Sequence, residues 1–311
     1  MELSNVTRET EFVILGLSDL PEYQTLLFVA FLALYMMNIV GNTMIISLTR
    51  LDTSLHTPMY FFLGNLSFVD MCFTSSIVPP MLKNIVSSNK VISLHACIAQ
   101  LYFFLTFACT ECLLLGCMAY DRYVAICNPL HYMMLMNQRA CILLVLFSWI
   151  ISALHALLHS LMAARLTYCG ANIIYHFFCD MAPLLTLSCS DTTANRMLIY
   201  TEGGLPLAFP FIIVMVSYTR IISTILKIRS TQSRWKTFST CSSHLTVVIL
   251  FYGTIGFMYL RPSSSYSTAY NRIVSIVYTV VAPTLNPFIY SLRNKDMKGA
   301  LRKVLSKKGE I

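Results

Sequence analysis

Long apolar stretches separated by short polar segments dominate the residue pattern of this chain. The stretches 24–49 and 273–292, for example, contain no Asp, Glu, Lys or Arg. A helix of about 20 residues crosses a hydrocarbon core of about 30 Å, whereas isolated strands cannot satisfy their backbone polar groups there. We therefore predict membrane-spanning helices at 24–49, 57–82, 93–121, 140–164, 197–226, 237–260 and 272–292.

The basic residues between these spans predict the orientation of the chain. Fifteen of the 22 Lys and Arg residues lie in the segments on one side of the membrane and in the C-terminal tail. Such segments are typically cytoplasmic. We expect a multi-pass protein of the plasma membrane with an extracellular N-terminus (1–23), a helical domain (24–292) and a cytoplasmic tail (293–311).

Composition supports a membrane protein and argues against a nucleic-acid-binding one. Only 12% of the residues are charged and 56% are hydrophobic, while soluble domains carry about twice that charged fraction. The formal charge of +8 comes from residues in loops between spans, so we predict membrane lipids as partners and no nucleic acid. No basic segment followed by an apolar one marks a cleavable signal at the start. Asn5-Val6-Thr7 is a glycosylation acceptor if the N-terminus is outside.

The tail adds one more predicted helix. Basic and apolar residues alternate there, and Met297, Leu301, Val304 and Leu305 fall on one helical face. This pattern is typical of an amphipathic helix lying on an anionic leaflet. The predicted fold is an all-α membrane protein, a seven-transmembrane helix bundle with a short amphipathic C-terminal helix.

Several ionisable residues lie within or at the ends of the predicted spans, where they are costly and by default suggest function. They are Asp70, Glu111, Asp121, Arg122 and Glu202. At about 100° per residue, Phe104, Glu111 and Arg122 share one stripe of the third span, which must face the protein interior. Asp70 on the second span can meet Glu111, and two close carboxyl groups either share a proton or hold a cation such as sodium.

Five stretches carry a resemblance to a known family. They are "GN" at 41–42, "LHTPMYFFLGNLSFVD" at 55–70, "MAYDRYVAICNPLHY" at 118–132, "KTFSTCSSHLTVV" at 236–248 and "PTLNPFIYSLRNK" at 283–295. From about residue 10 to 305 the chain resembles mammalian odorant receptors, a branch of the rhodopsin-like G-protein-coupled receptors.

The resemblance implies a receptor that binds a small, mostly apolar and uncharged volatile ligand in the extracellular half of the bundle. It also implies activation of a stimulatory, olfactory-type G protein and a rise in cAMP. The same receptor chemistry would suit a sensor for a metabolite in a non-olfactory tissue. A secondary transporter is a poor alternative because no internal repeat is visible, and no enzyme is expected because no nucleophile, base and acid converge.

The resemblance also implies roles for single residues. Cys97 would pair with Cys179, and Cys169 with Cys189, although the positions of these four cysteines alone allow three pairings. Arg122 would be held by Asp121 at rest and released toward the cytoplasmic cavity on activation. The implied activation switch consists of Asp121, Arg122, Tyr123, Tyr218, His244, Asn286, Pro287 and Tyr290. His244 fits a packed, hydrogen-bonded histidine as well as it fits a switch.

The ligand is expected between the third, fifth, sixth and seventh helices. The candidate lining residues are Phe104, Leu105, Ala108, Cys109, Cys112, Glu202, Pro206, Leu207, Tyr252, Tyr259, Ile276 and Thr279. Phe104 stands where receptors for amines carry an acid, which argues against an amine ligand. Cys109 with Cys112, and His155 with His159, have spacings that suit metal ligands on one helix face. No closed ligand set is apparent, so we predict no metal and no cofactor other than a sodium ion between Asp70 and Glu111.

Overall fold

The computed structural model describes residues 11–17, 21–169, 172–259, 268–293 and 295–307, and most of them are helical. The membrane-spanning elements are α1 (Gln24–Leu51), α2 (Pro58–Val86), α3 (Leu94–Cys127), α5 (Gln138–Ala164), α7 (Thr193–Thr201) with α8 (Leu205–Leu226), α9 (Thr231–Tyr259), and α10 (Thr268–Ile276) with α11 (Ala282–Arg293). Shorter helices are α4 (Tyr132–Leu135), α6 (Met181–Leu187) and α12 (Lys295–Lys307). Within these ranges six spans are long and apolar enough to cross a membrane, and α9, bent by 45° after Ser239, supplies a seventh. The predicted seven-helix bundle is confirmed.

The third span forms the centre of the bundle. In α3, 61% of the apolar window is buried, against 28% in α1 and in α5. Its neighbours are α2, α5, α8 and α9. The start of α3 is set by Ser93, whose side chain accepts a hydrogen bond from the Ala96 amide, as N-cap residues do. Residues placed on α3 can therefore touch most of the other spans.

Three features of the membrane-spanning helices were not predicted by the pattern of apolar residues. Helix α3 continues to Cys127, so Asp121, Arg122 and Tyr123 lie inside the helix and not at its end. The fifth span is interrupted between α7 and α8. A π-helical turn, Val277–Val281, separates α10 from α11. Such turns inside helices are frequent at functional sites, and an apolar run carries no information about them.

A small sheet, which the sequence pattern did not predict, lies outside the spans. Strand β1 (Glu11–Ile14) runs antiparallel to β2 (Val91–Ser93) and parallel to β3 (Ile173–Ile174). Phe12 of β1 is fully buried and meets the Tyr168 ring edge-on at 5.1 Å between centroids. The sheet thus ties the N-terminal segment to the loops that follow α2 and α5. Asn5 lies outside the described residues.

Two disulfides hold the same end of the bundle. Cys97 at the start of α3 is bonded to Cys179, and Cys169 is bonded to Cys189, with Cα separations of 5.4 and 6.1 Å. Both pairings are the expected ones. Gln100 reinforces the first bridge, because its amide oxygen accepts from the Cys179 backbone N–H at 3.0 Å.

Helix α12 docks against the opposite end of the bundle. Met297 is completely buried there, and Asp296 accepts a hydrogen bond from the Tyr60 hydroxyl at 3.1 Å. The Lys303 ammonium lies 3.2 Å from the Asp52 carboxylate. Hydrogen bonds from Ser54 are the main reason that the pKa of Asp52 is lowered to about 2. The side chains of Val304 and Leu305 lie outside the described residues.

Candidate functional site

The C-terminal part of α3 carries a charge pair with a third partner. The Arg122 Nε donates to Asp121 Oδ2 at 3.0 Å. The other carboxylate oxygen, Oδ1, accepts from the Tyr132 hydroxyl at 2.8 Å. Asp121 is fully buried, whereas the Arg122 side chain is 18% exposed. Tyr132 is the last residue of the motif at 118–132. Its position in the motif did not indicate a contact with Asp121.

A second contact joins three spans one layer deeper. His244 of α9 is fully buried, and its Nε2 lies 3.1 Å from the Leu115 carbonyl of α3. A carbonyl only accepts, so Nε2 carries the proton and Nδ1 offers a lone pair. The Tyr218 hydroxyl of α8 lies 2.7 Å from that Nδ1 and is the donor. His244 is thus hydrogen-bonded to two other spans, and one of them is α3, the helix that carries Asp121 and Arg122.

Polar side chains meet again in the middle of the bundle. Asn286 of α11 donates to Asp70 Oδ2 at 2.9 Å, and Glu111 lies close enough for its charge to interact with that of Asp70. Asp70 Oδ1, Glu111 Oε2 and the Tyr290 hydroxyl are buried without a hydrogen-bond partner among the described residues. Oxygen atoms of this kind fit the ligands that a hard cation takes, and they equally fit a shared proton.

Pro287 lies next to Asn286 and packs against α1, whereas Tyr123 lies next to Arg122 on α3. Pro287 lies so close to α1 that a Cβ on Gly41 would come within 3.1 Å of its ring. Asn42, next in the chain, donates to the carbonyl of Pro283 at 3.4 Å. Tyr123 is half-buried and faces the Tyr120 ring at 6.2 Å between centroids. The "GN" motif therefore serves the contact between the first and seventh spans.

An aromatic cluster lies in the half of the bundle nearer the disulfides. Phe104 is buried, with ring centroids 4.8 Å from Phe178, 5.6 Å from Phe73 and 6.4 Å from Tyr278. Leu105, Ala108 and Ile276 are partly buried beside this cluster. Phe178 comes from the loop bridged to α3, so that loop closes over the predicted ligand region. Phe73, Phe178 and Tyr278 could not be predicted from the sequence, because a single aromatic residue in a span or loop carries no positional signal.

Tyr252 faces α3 one layer deeper. Its hydroxyl is buried without a hydrogen-bond partner among the described residues, and Cys109 and Cys112 are within electrostatic range of it. Both thiols are buried. Leu207 packs against the same apolar cluster as Cys112, and Pro206 is half-buried.

Glu202 lies where the fifth span is interrupted. Its Oε1 is 2.8 Å from His155 Nδ1, and its Oε2 is 2.9 Å from His159 Nε2. The two imidazole side chains are 9% and 5% exposed, and the carboxylate is 34% exposed. The spacing of His155 and His159 predicted that they share one helix face. Nothing in the sequence linked either histidine with Glu202.

For two predicted lining residues, Thr279 and Tyr259, the structure shows no side-chain hydrogen-bond donor available to a ligand among the described atoms. The Thr279 hydroxyl donates to the Ser275 carbonyl of its own helix at 2.6 Å, and the Tyr259 side chain lies outside the described residues. A cavity of about 420 Å³ lies elsewhere, between the C-terminal end of α8 and the N-terminal part of α9. Its lining is Ile222, Ile225, Leu226, Thr231, Arg234, Trp235 and Phe238.

Comparisons with known proteins agree with this architecture. A sequence model of the olfactory receptor family matches residues 31–308. Olfactory receptor 1468 of Rattus norvegicus is 51% identical over 308 residues, covering 99% of this chain and 98% of the relative. Olfactory receptor 1C1 of Homo sapiens is 52% identical over 307 residues, with the same coverage. Olfactory receptor 1E2 of Gorilla gorilla gorilla is 52% identical over 304 residues, covering 98% and 97%. The chain therefore belongs to the olfactory receptor family, whose members are G-protein-coupled odorant receptors and not enzymes.

Proposed function

We propose that this receptor binds a small, uncharged and largely apolar odorant between the Phe104 cluster and Tyr252. The observation that carries the proposal is the chemistry of this region. Aromatic rings and buried thiols surround it, and the buried hydroxyl of Tyr252 has no hydrogen-bond partner among the described residues. Pockets for small molecules are mostly apolar with few polar groups. A ketone, ester or alcohol could accept the hydrogen bond that Tyr252 offers.

The charges near this region favour a neutral ligand. Phe104 occupies the position where an amine would need an acid. Glu202, the acidic residue predicted to line the pocket, already has a histidine nitrogen within 2.9 Å of each carboxylate oxygen. A cationic ligand would have to compete with both imidazoles for that carboxylate. A cationic ligand would also lose its hydration on entering an apolar pocket, and an uncharged ligand avoids that cost.

Ligand binding would act on the inner pair through the relative positions of the spans. A ligand shifts a two-state equilibrium only by its differential affinity for the two states. In the arrangement described, Asp121 holds Arg122, and His244 holds Tyr218. We infer that this is the resting state. In the active state Arg122 would exchange Asp121 for Tyr218 and the terminal helix of a stimulatory, olfactory-type G protein, with cAMP as the product of signalling.

The polar centre and the topology belong to the same proposal. Asp70 and Glu111 would hold a sodium ion or share one proton, because two close carboxylates cannot both ionise cheaply in a buried site. The protein would lie in the plasma membrane with residues 1–23 outside and 293–311 inside. The basic inner segments support this orientation, as do the disulfides, which form in oxidising compartments.

The test is a cAMP reporter screen of cells expressing the receptor against a broad panel of odorants. Arg122→Ala should abolish every response at equal surface expression, since no other residue would contact the G protein in the same way. Arg139→Ala, at an exposed arginine, is the matched control and should respond as the parent does. Full signalling by Arg122→Ala would contradict the proposal.

Tyr252→Phe tests the ligand class. Loss of one hydrogen bond should weaken the response to an active ketone or ester by about three- to tenfold. The response to a hydrocarbon of the same shape should stay unchanged. Tyr200→Phe, at a tyrosine that is 83% exposed, serves as the control. An equal loss for both ligands would show that Tyr252 acts only by packing.

A further inference from the structure

We propose that His155, His159 and Glu202 form a zinc-binding site that links the fourth span to the interruption in the fifth. The proposal does not depend on the odorant or on the G protein. It departs from the expectation that the chain binds no metal, which rested on the apparent lack of a closed ligand set. The tertiary structure supplies that set.

The donor atoms are the first argument. Two imidazole nitrogens and a carboxylate oxygen are ligands that zinc commonly takes, and three protein ligands leave its fourth position open. His155 and His159 are one helical turn apart on α5, with ring centroids separated by 4.6 Å. The donor atoms of these two residues and of Glu202 all lie within 4.8 Å of one another.

The distances between these atoms are the second argument. Zinc lies about 2.0–2.2 Å from nitrogen and oxygen ligands, so tetrahedral ligand atoms are separated by about 3.4 Å. The two nitrogen–oxygen separations are 2.8 and 2.9 Å. An ion could enter after an expansion of about half an ångström. Each imidazole would move its proton to the other ring nitrogen, so that the nitrogen facing the ion offers a lone pair.

The backbone around Glu202 is the third argument. The amides of Glu202 and Gly203 both donate to the Leu198 carbonyl, at 2.9 and 3.0 Å. Gly203 has no room for a side chain, because a Cβ would lie 2.7 Å from the Ile199 carbonyl oxygen. This tight turn fixes the position of Glu202 opposite the two histidines. The carboxylate is 34% exposed and the imidazoles are 9% and 5% exposed, so the three side chains form a largely enclosed cluster with Glu202 at its most exposed edge.

The test uses the full-length receptor, purified in lipid nanodiscs through a tag without histidine. Zinc should bind with one equivalent per chain and raise the thermal unfolding midpoint as its concentration rises, whereas magnesium should have no such effect. His155→Gln, His159→Gln and Glu202→Gln should each lower the zinc affinity at least tenfold. His95→Gln, which changes an exposed histidine, should bind zinc as the parent does.

An X-ray absorption spectrum of the parent keeps the proposal testable if a variant fails to fold. The spectrum should show two imidazoles and at least one oxygen ligand on the bound zinc. A sulfur-dominated spectrum would assign the ion to cysteines and overturn the proposal. Absence of saturable zinc binding, or parent-like affinity in all three variants, would also overturn it and leave a purely hydrogen-bonded cluster.

Discussion

Asp121 has two hydrogen-bonding partners, and each uses a different carboxylate oxygen. Arg122 takes Oδ2 and Tyr132 takes Oδ1. Because Asp121 is fully buried, its charge must be compensated locally. The phenol of Tyr132 thus fixes the orientation in which the carboxylate holds Arg122. In the proposed resting state, a residue from the loop that follows α3 would thereby stabilise the contact between Asp121 and Arg122.

Tyr132→Phe should raise signalling in the absence of ligand. Loss of the hydrogen bond would weaken the resting state by about 1 kcal/mol, which corresponds to about a fivefold change in the ratio of active to resting receptor. The measurement is ligand-free cAMP, normalised to surface expression. Tyr120→Phe, at a neighbouring tyrosine that is 38% exposed, is the control. Unchanged or lower basal signalling in Tyr132→Phe would contradict the prediction.

Two adjacent glycines lie at the interruption of the fifth span, in opposite environments. A Cβ on Gly203 would lie 2.7 Å from the Ile199 oxygen and 2.9 Å from its Cα, whereas nothing lies within 4 Å of a Cβ on Gly204. Backbone atoms of a helix cannot move away as a side chain can. The turn therefore requires glycine at the first position only.

Gly203→Ala should destabilise the receptor by about 1–3 kcal/mol, the usual cost of forcing extra atoms into a packed site. Gly204→Ala should change stability by no more than about 0.5 kcal/mol, as exposed substitutions usually do. The thermal unfolding midpoints of the two purified variants provide the comparison. Equal midpoints would mean that the turn can rearrange and that Gly203 is not required.

Across the entire bundle, the third span joins the loops held by the disulfides to the Asp121–Arg122 pair. Its outer end is bonded to the loop that carries His176 and Phe178, and this loop reaches the seventh span. His176 Nε2 lies 3.1 Å from the Ser275 hydroxyl, and Arg272 donates to the Tyr175 carbonyl at 3.2 Å. The loop is thus a cap whose position depends on the third and seventh spans together.

The cap should lose stability in mild acid because of His176. Burial, and then the charge of Arg272, lower the pKa of His176 to about 4, below its usual value of about 6.5. The unfolded chain therefore binds the proton first, and stability falls as the pH drops from about 6.5 toward 4. The loss at pH 5.5 should be about 1.4 kcal/mol.

The measurement is the difference in thermal midpoint between pH 7.4 and pH 5.5. It should be smaller in His176→Gln than in the parent by about 3 °C. His95→Gln, at an exposed histidine, should behave as the parent does. An identical pH response in all three proteins would show that protonation of His176 does not affect the cap.

The residue pattern could predict those features that depend on residues close together in the sequence. The seven spans were predictable because burial in lipid acts on each apolar run separately, and α1 begins at the predicted residue, Gln24. The resemblance carried by the motifs predicted the family and the two disulfides, and both are confirmed. The roles of the switch residues stay a prediction. The third span's stripe followed from helical geometry alone, and it brings Phe104 and Glu111 to buried positions, whereas the Arg122 side chain stays 18% exposed.

Contacts between distant segments were decided by the tertiary structure. The sheet formed by β1, β2 and β3 joins residues that are 78 or more positions apart, and no local pattern specifies such pairing. The bond from Tyr132 to Asp121 depends on how the inner loop folds back onto α3. The meeting of Glu202 with His155 and His159 depends on a turn at Gly203 and on the packing of the fourth span against the fifth. Each of these contacts requires backbone positions that only the packed bundle determines.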